Sequence, residues 1–308
     1  MAFTRDSDQR LSRYDNGDAL ILVIGPSGAG KSTFINNYAK EPVAKVTEGY
    51  LACTEAVEAF TGKLPLDSGD LSSKKQLVLV DTPGFLAGDG IRDESKPLKQ
   101  IAEWLRPKHG PPRLLTGIIY LHDMSVKTIH KEIRMTLSIF SKICGQDAVP
   151  MTILVKSHWS ADEGCQKRSD ALNSGFFSAL INAGAESMDI NGNTTEETVI
   201  QRLLEKDTRK SLIQLQRELE EGKKIPRTAA GKELKRTLEE LVRSAVDSKS
   251  RSALKRAIKE LKPTLAHRIQ EMLGWSVSVY LPGHSCLYFS ANRSSIGDKA
   301  SFGSVPGL

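Results

Sequence analysis

The sequence predicts a three-layer α/β fold: a mostly parallel central sheet with helices on both faces, followed by an α-helical extension. Three observations predict it. Four short apolar runs, at residues 19–24 (ALILVI), 76–80 (QLVLV), 117–121 (GIIYL) and 152–155 (TILV), are continuous rather than alternating, as in parallel strands buried on both faces. Helical stretches at 127–144 and 164–183 flank the later runs, so strands and helices alternate. After about residue 191 the apolar runs give way to charged, helix-forming sequence.

Taken in order, residues 1–17 are polar and read as a disordered leader, and 18–207 as the α/β domain. Its first strand runs into a glycine-rich turn and then a helix from about Lys31 to Lys40, stopped by Pro42. Residues 46–60 read as a loop and an antiparallel edge strand, and 194–204 as a capped helix. Residues 208–273 form a basic amphipathic helical extension. Within it, 231–261 is free of proline, and Leu234, Leu238, Leu241 and Ala245 make one apolar stripe. Packing on the neighbouring domain explains the stripe most simply; a coiled coil or partner-binding helix is the sharper reading, and the stripe is too short to require it. Residues 274–308 read as an irregular tail.

Composition narrows the class. Of 308 residues, 39% are hydrophobic and 26% charged, which fits a globular protein. No apolar run reaches the roughly 20 residues of a membrane span, and the N-terminus lacks the pattern of a secretory signal. The four cysteines, Cys53, Cys144, Cys165 and Cys286, form no C-x-x-C pair, which argues against a zinc site or disulfide framework and for a reducing, cytoplasmic setting. Between residues 221 and 268, 14 Lys and Arg face six Asp and Glu. A solvated face is the simplest account. Attraction to an anionic membrane surface or an acidic partner is the alternative, and the absence of interleaved aromatics disfavours nucleic acid.

The strongest chemical signal is Gly25-Pro26-Ser27-Gly28-Ala29-Gly30-Lys31-Ser32-Thr33, a full G-x-x-x-x-G-K-[ST] match between an apolar strand and a helix. Such a loop turns its backbone N–H groups inward as an anion nest, and the helix N-terminus adds partial positive charge. Lys31 is placed to reach the β- and γ-phosphates of a purine nucleoside triphosphate, and Ser32 to put its hydroxyl on Mg²⁺. Directly after the 76–80 run comes Asp81-Thr82-Pro83-Gly84. Asp81 would hold Mg²⁺ through water, and the Gly84 N–H would sense the γ-phosphate. A switch-loop threonine is also expected on Mg²⁺, and Thr47, Thr54 and Thr61 all lie in the right interval. His122 and Asp123 end the 117–121 strand; a pair of that kind invites general-base chemistry, but a polar strand end meeting a loop suffices.

The strings GPSGAGKST, ACTEAV, DTPGF, GIIYLH and KICG resemble the septin-like and immune-associated branch of translation-factor-class GTPases, and most of all its fungal G-domain proteins, over roughly residues 18–242. That resemblance implies a G domain with a mixed sheet of about six strands. It selects Thr54 as the switch threonine, with Lys31, Thr54 and Gly84 acting in turnover and GTP, GDP and Mg²⁺ as ligands. It also implies control by homodimerisation across the nucleotide face or by assembly on a surface.

Two positions depart from the pattern. Phe85 stands where other GTPases place a glutamine that orients water. Where [NT]-K-x-D normally selects guanine, this chain has Lys156-Ser157-His158-Trp159-Ser160, with Ser160 in place of the carboxylate. The stem of Lys156 could pack on the base, and the ring of His158 or Trp159 could stack on it. The expected function is a slow Mg²⁺-dependent GTPase switch. The alternatives are a catalytically weak nucleotide-binding module and an ATP-using P-loop enzyme, although no L-S-G-G-Q signature or Arg-rich lid supports the last.

Overall fold

Strands β1 (Thr4–Arg5), β2 (Ala19–Ile24), β3 (Glu58–Lys63), β4 (Gln76–Asp81), β5 (Gly117–Asp123), β6 (Thr152–Ser157) and β7 (Glu186–Asp189) form one sheet in the computed structural model, in the order β1-β3-β4-β2-β5-β6-β7. The structure describes residues 3–5, 14, 17–46, 54–64, 75–85, 94–106, 111–125, 131–158, 163–191, 193–206, 210–245, 248–261, 275–276 and 290–291. β1 and β3 are antiparallel to their neighbours, and the five strands from β4 to β7 are parallel. This is the α/β architecture of a P-loop G domain.

Because side chains alternate across a strand, the continuous apolar runs serve two cores at once. Leu20, Leu22 and Ile24 of β2 face one core with Val78, Val80, Ile118, Tyr120 and Leu154. Ala19, Ile21 and Val23 face the other with Leu77, Leu79, Ile119, Leu121, Ile153 and Val155. Helices α1 (Lys31–Ala39) and α6 (Glu196–Glu205) cover the second face. The first is covered by α2 (Lys96–Leu105), α3 (Lys131–Cys144), α4 (Glu163–Ser174), α5 (Ser178–Asn182) and α7 (Gln214–Glu220). The expected capped helix is α6: Thr195 accepts from the Thr198 N–H in a reciprocal capping box, and Glu196 and Glu197 sit in its first turn. The 164–183 stretch divides into α4 and α5, β7 and α2 lie outside the elements expected from sequence, and α7 falls within the expected helical extension.

Two further expectations change. The polar leader includes an edge strand: β1 pairs with β3, and Phe3 is buried on the bare backbone of Gly62 and the edge of the Tyr38 ring. A Cβ on Gly62 would lie 2.5 Å from the Phe3 ring, so glycine makes the seat. The 231–261 stretch is two helices, α8 (Ala229–Ser244) and α9 (Ser248–Glu260). α8 is capped by Thr228, whose hydroxyl accepts from the Gly231 N–H at 3.0 Å. Its stripe is no free coiled-coil seam, since Leu234 and Leu238 are fully buried, and Leu241 packs beside them, in the core shared with α3. α8 and α9 thus belong to the same compact unit as the sheet, residues 1–261. In the second unit, residues 262–308, β8 (Trp275–Ser276) pairs antiparallel with β9 (Ser290–Ala291). No helix among the described residues is long and apolar enough to cross a membrane.

The seat of Phe3 has a measurable consequence. Phe3→Ala should lower unfolding stability by about 3 kcal/mol, as expected for emptying a buried aromatic site. Urea denaturation would measure it, and a midpoint equal to the parent's would show that the N-terminal strand contributes nothing.

Candidate functional site

β2 is the pivot of the sheet: the next parallel strand in the chain, β4, lies on one side of it, and β5 on the other. Open α/β sheets bind ligands at such a switch point, outside the carboxyl ends of the strands. There the loop from Gly25 to Gly30 leaves β2 and enters α1. Gly30, the N-cap of α1, has φ 84°, a left-handed conformation that favours glycine. Thr33 lies half-buried in the first turn of α1.

Three oxygens converge beside this loop. The Ser32 hydroxyl donates to Asp81 Oδ2 at 2.6 Å, the Thr54 hydroxyl donates to the same oxygen at 3.0 Å, and the two hydroxyls are 3.1 Å apart. They come from α1, the approach to β3 and the end of β4. Of the two candidate threonines among the described residues, Thr54 is at the site and Thr61 faces Thr4 across the β1–β3 pair; Thr47 lies outside the described residues. The second carboxylate oxygen, Asp81 Oδ1, is buried without a hydrogen-bond partner among the described residues. A buried orphan acceptor beside two hydroxyls is a hard, all-oxygen donor set, and it fits Mg²⁺.

The charges here are buried. Lys31 is 6% exposed, and its ammonium donates to the carbonyls of Pro26 at 2.8 Å and Gly25 at 3.4 Å. Burial lowers its pKa to about 8, against the pull of Asp81. Burial also raises the Asp81 carboxyl above its usual range, opposed by Lys31 and the hydroxyls of Ser32 and Thr54. Both groups are thus pushed toward their neutral forms, and an anion at the loop with a cation at the oxygens would restore both charges.

The D-T-P-G segment is fastened to the loop. The Thr82 hydroxyl is fully buried and donates to the Val23 carbonyl at 2.8 Å, so this threonine is a clamp on β2. Gly84 lies against the loop backbone, where a Cβ would be 2.4 Å from Ser27 Cα. The Ser27 N–H donates to the Phe85 carbonyl at 3.2 Å, and the Phe85 side chain is 1% exposed in the core.

The other end of the crevice is built from the ends of β5 and β6. Lys156, expected to lay its stem on a base, is instead sealed in: its ammonium is 2.7 Å from Asp189 and bonds Ser169 and Asn173, tying β6 to β7 and α4. His158 does reach the loop. It adopts φ 52°, and its ring lies over Gly30, where a Cβ would be 3.0 Å from Cε1. Its Nδ1 is 3.1 Å from Asp123 Oδ1, a hydrogen bond that raises the histidine pKa although burial opposes it. Trp159 and Ser160 lie outside the described residues.

Two residues take roles that the sequence did not assign them. Ser157 donates to the Ala29 carbonyl at 3.0 Å and the His122 carbonyl at 3.2 Å, pinning β6 to the loop. Asp123 partners His158 rather than its neighbour. His122 is instead buried edge-on against Phe177, its Nδ1 unpartnered among the described residues, and burial lowers its pKa to about 4. A polar strand end was the only signal available for either residue. Cys144 is fully buried with its thiol pKa pushed up, which makes it an inert core group.

Residues 20–153 match the family model described as a 50S ribosome-binding GTPase. Cell division control protein 11 of Saccharomyces cerevisiae is 30% identical over 93 residues, a match spanning 29% of this chain and 22% of that protein. Among solved structures, Toc33 from Arabidopsis thaliana in complex with GDP and Mg²⁺ aligns over 64% of this chain and 88% of its own, at 16% identity and a TM-score of 0.48. Era from Aquifex aeolicus bound to GDP·AlF₄⁻ aligns over 63% and 58%, at 13% identity and a TM-score of 0.42.

Two outcomes test this geometry. Gly84→Ala must push D-T-P-G off the loop backbone, so triphosphate affinity measured by titration should fall on the order of tenfold with the fold retained; unchanged affinity would mean the close approach is incidental. His122 binds a proton near pH 6.5 when unfolded and only near pH 4 when folded, so the unfolded state holds more protons between those values and stability falls as pH falls. The loss from this group is on the order of 3 kcal/mol across that window. His122→Phe should flatten the decline by that amount, and parallel curves for the two proteins would show that His122 is not held neutral.

Proposed function

We propose that this protein binds GTP with Mg²⁺ at the Gly25–Ser32 loop, hydrolyses it slowly and works as a switch. The observation that carries the reading is the convergence of Ser32, Thr54 and Asp81 beside the buried Lys31. In it, Ser32, Thr54 and Asp81 hold Mg²⁺, which when bound neutralises charge on the terminal phosphates. The loop amides and the α1 N-terminus cradle the phosphates. Lys31 exchanges the carbonyls of Pro26 and Gly25 for phosphate oxygens, recovering a charge-assisted contact in a dry site. Thr54 and Gly84 lie on the two segments that would report a γ-phosphate. His158, held by Asp123, lines the base and ribose end.

Slow turnover follows from Phe85. The residue after Gly84 points into the core and offers no group to orient water, so efficient hydrolysis needs one brought from outside. A second copy docked across the nucleotide face is the source that the resemblance implies, and turnover per molecule should then rise with protein concentration. The same burial favours a second reading, a module that binds nucleotide without meaningful turnover.

Competition of GTP and ATP against a fluorescent nucleotide, paired with a phosphate-release assay, separates these readings. GTP should displace the probe at lower concentration than ATP, and Lys31→Ala should weaken binding on the order of 100-fold, the loss of charge-assisted hydrogen bonds to phosphate. Asp81→Asn should raise the Mg²⁺ needed for half-maximal binding. Tighter ATP binding would overturn the guanine assignment, and release no faster than in the Lys31→Ala control would leave the binding module.

A further inference from the structure

We propose that the exposed face of α9 docks on an anionic lipid bilayer, a role separate from the nucleotide site. The helix carries five cations, Lys249, Arg251, Lys255, Arg256 and Lys259, all exposed. Spaced at 100° per residue, they fall on one half of the helix. Its single acid, Glu260, is engaged by Lys99 of α2.

The neighbouring helix α8 has four cations, and two of them are paired with acids of the same helix. On α8, Arg236 is paired with Glu233 and Glu240, and Lys235 with Glu239. Arg106, Arg202 and Arg217 likewise pair with Glu220, Glu186 and Asp147. None of the five α9 cations has an ion pair among the described residues; Arg251 donates only to the Ala245 carbonyl.

This arrangement works against the helix. Arg251, Lys255 and Lys259 repel one another at four-residue steps. Lys249 and Arg251 crowd the positive end of the helix dipole, where the first turn contains no acid. What holds α9 in place is its other face: Ala253 and Ala257 are buried, and Leu254 and Ile258 pack beside them against the core. The apolar side is therefore already used, and the charged side is unneutralised at the expense of local stability. An anionic surface would relieve both penalties.

The chemistry of the face selects the occupant. Its exposed residues are the five cations, Ser248, Ser252 and Glu260, with no aromatic or aliphatic anchor of the kind that dominates a protein–protein contact. It has no ring on which a nucleobase could stack. A fluid anionic bilayer needs neither anchor nor shape match, because its potential attracts each cation within a Debye length.

Co-sedimentation of the full chain with phosphatidylcholine vesicles, with and without about 30 mol% phosphatidylserine, tests this. Binding is expected only to the anionic vesicles and should fall at least tenfold between about 0.1 M and about 0.5 M salt. The triple variant Lys255→Glu, Arg256→Glu, Lys259→Glu should lose binding at least tenfold while keeping nucleotide affinity. The charge-conserving Lys255→Arg, Arg256→Lys, Lys259→Arg should bind as the parent does. Equal binding to neutral vesicles, undiminished binding by the charge-reversed variant, loss of binding in the charge-conserving one, or tighter binding to duplex DNA or an acidic peptide than to the anionic vesicles would overturn the proposal.

Discussion

A buried ammonium and a buried carboxylate, Lys31 and Asp81, are the constraint around which this molecule is arranged. Neither charge is stable in an apolar interior without partners. The ammonium is held on the carbonyls of its own loop, and the carboxylate takes hydrogen bonds from Ser32 and Thr54. Those partners stay in place because β2 and β4 are adjacent and in register, Val23 opposite Asp81. Moving β4 by one residue would carry Asp81 away from the hydroxyls of Ser32 and Thr54.

The rest of the fold steadies that register. The alternation within β2, β4, β5 and β6 anchors each strand to helices on both faces, so the strand ends project to one edge. Polar clamps then tie the ends together. Thr82 grips β2, Ser157 grips the loop, and Lys156 with Asp189 joins β6 to β7. On the side of α3, α8 adds a further helical layer and α9 packs on it, so the cations of α9 are carried on the same core.

Local, strongly biased features were legible in the sequence. The apolar runs of β2, β4, β5 and β6 declare themselves, because burial on both faces leaves no alternation to confuse. The loop is legible because its glycines, lysine and serine must follow one another directly. What depended on tertiary contact was not. Thr54 could not be told from Thr47 or Thr61 by position. β1 is two polar residues, whose place depends on Phe3 finding Gly62 far along the chain. β7, ESMD, is half-buried at the sheet edge and lacks an apolar run. Lys156 is read from its place in the [NT]-K-x-D pattern; only the fold supplies Asp189, Ser169 and Asn173 to bury it against.

The bond from the Ser27 amide to the Phe85 carbonyl carries one more implication. An amide has a single proton to give, and this one lies in the loop that would hold phosphate. That proton is already given to the Phe85 carbonyl, and Gly84 is pressed on Ser27 beside it, so the loop after β2 and the segment after β4 are joined twice over within a few residues. A displacement of either one is therefore passed directly to the other, and the two behave as a single piece at the mouth of the site.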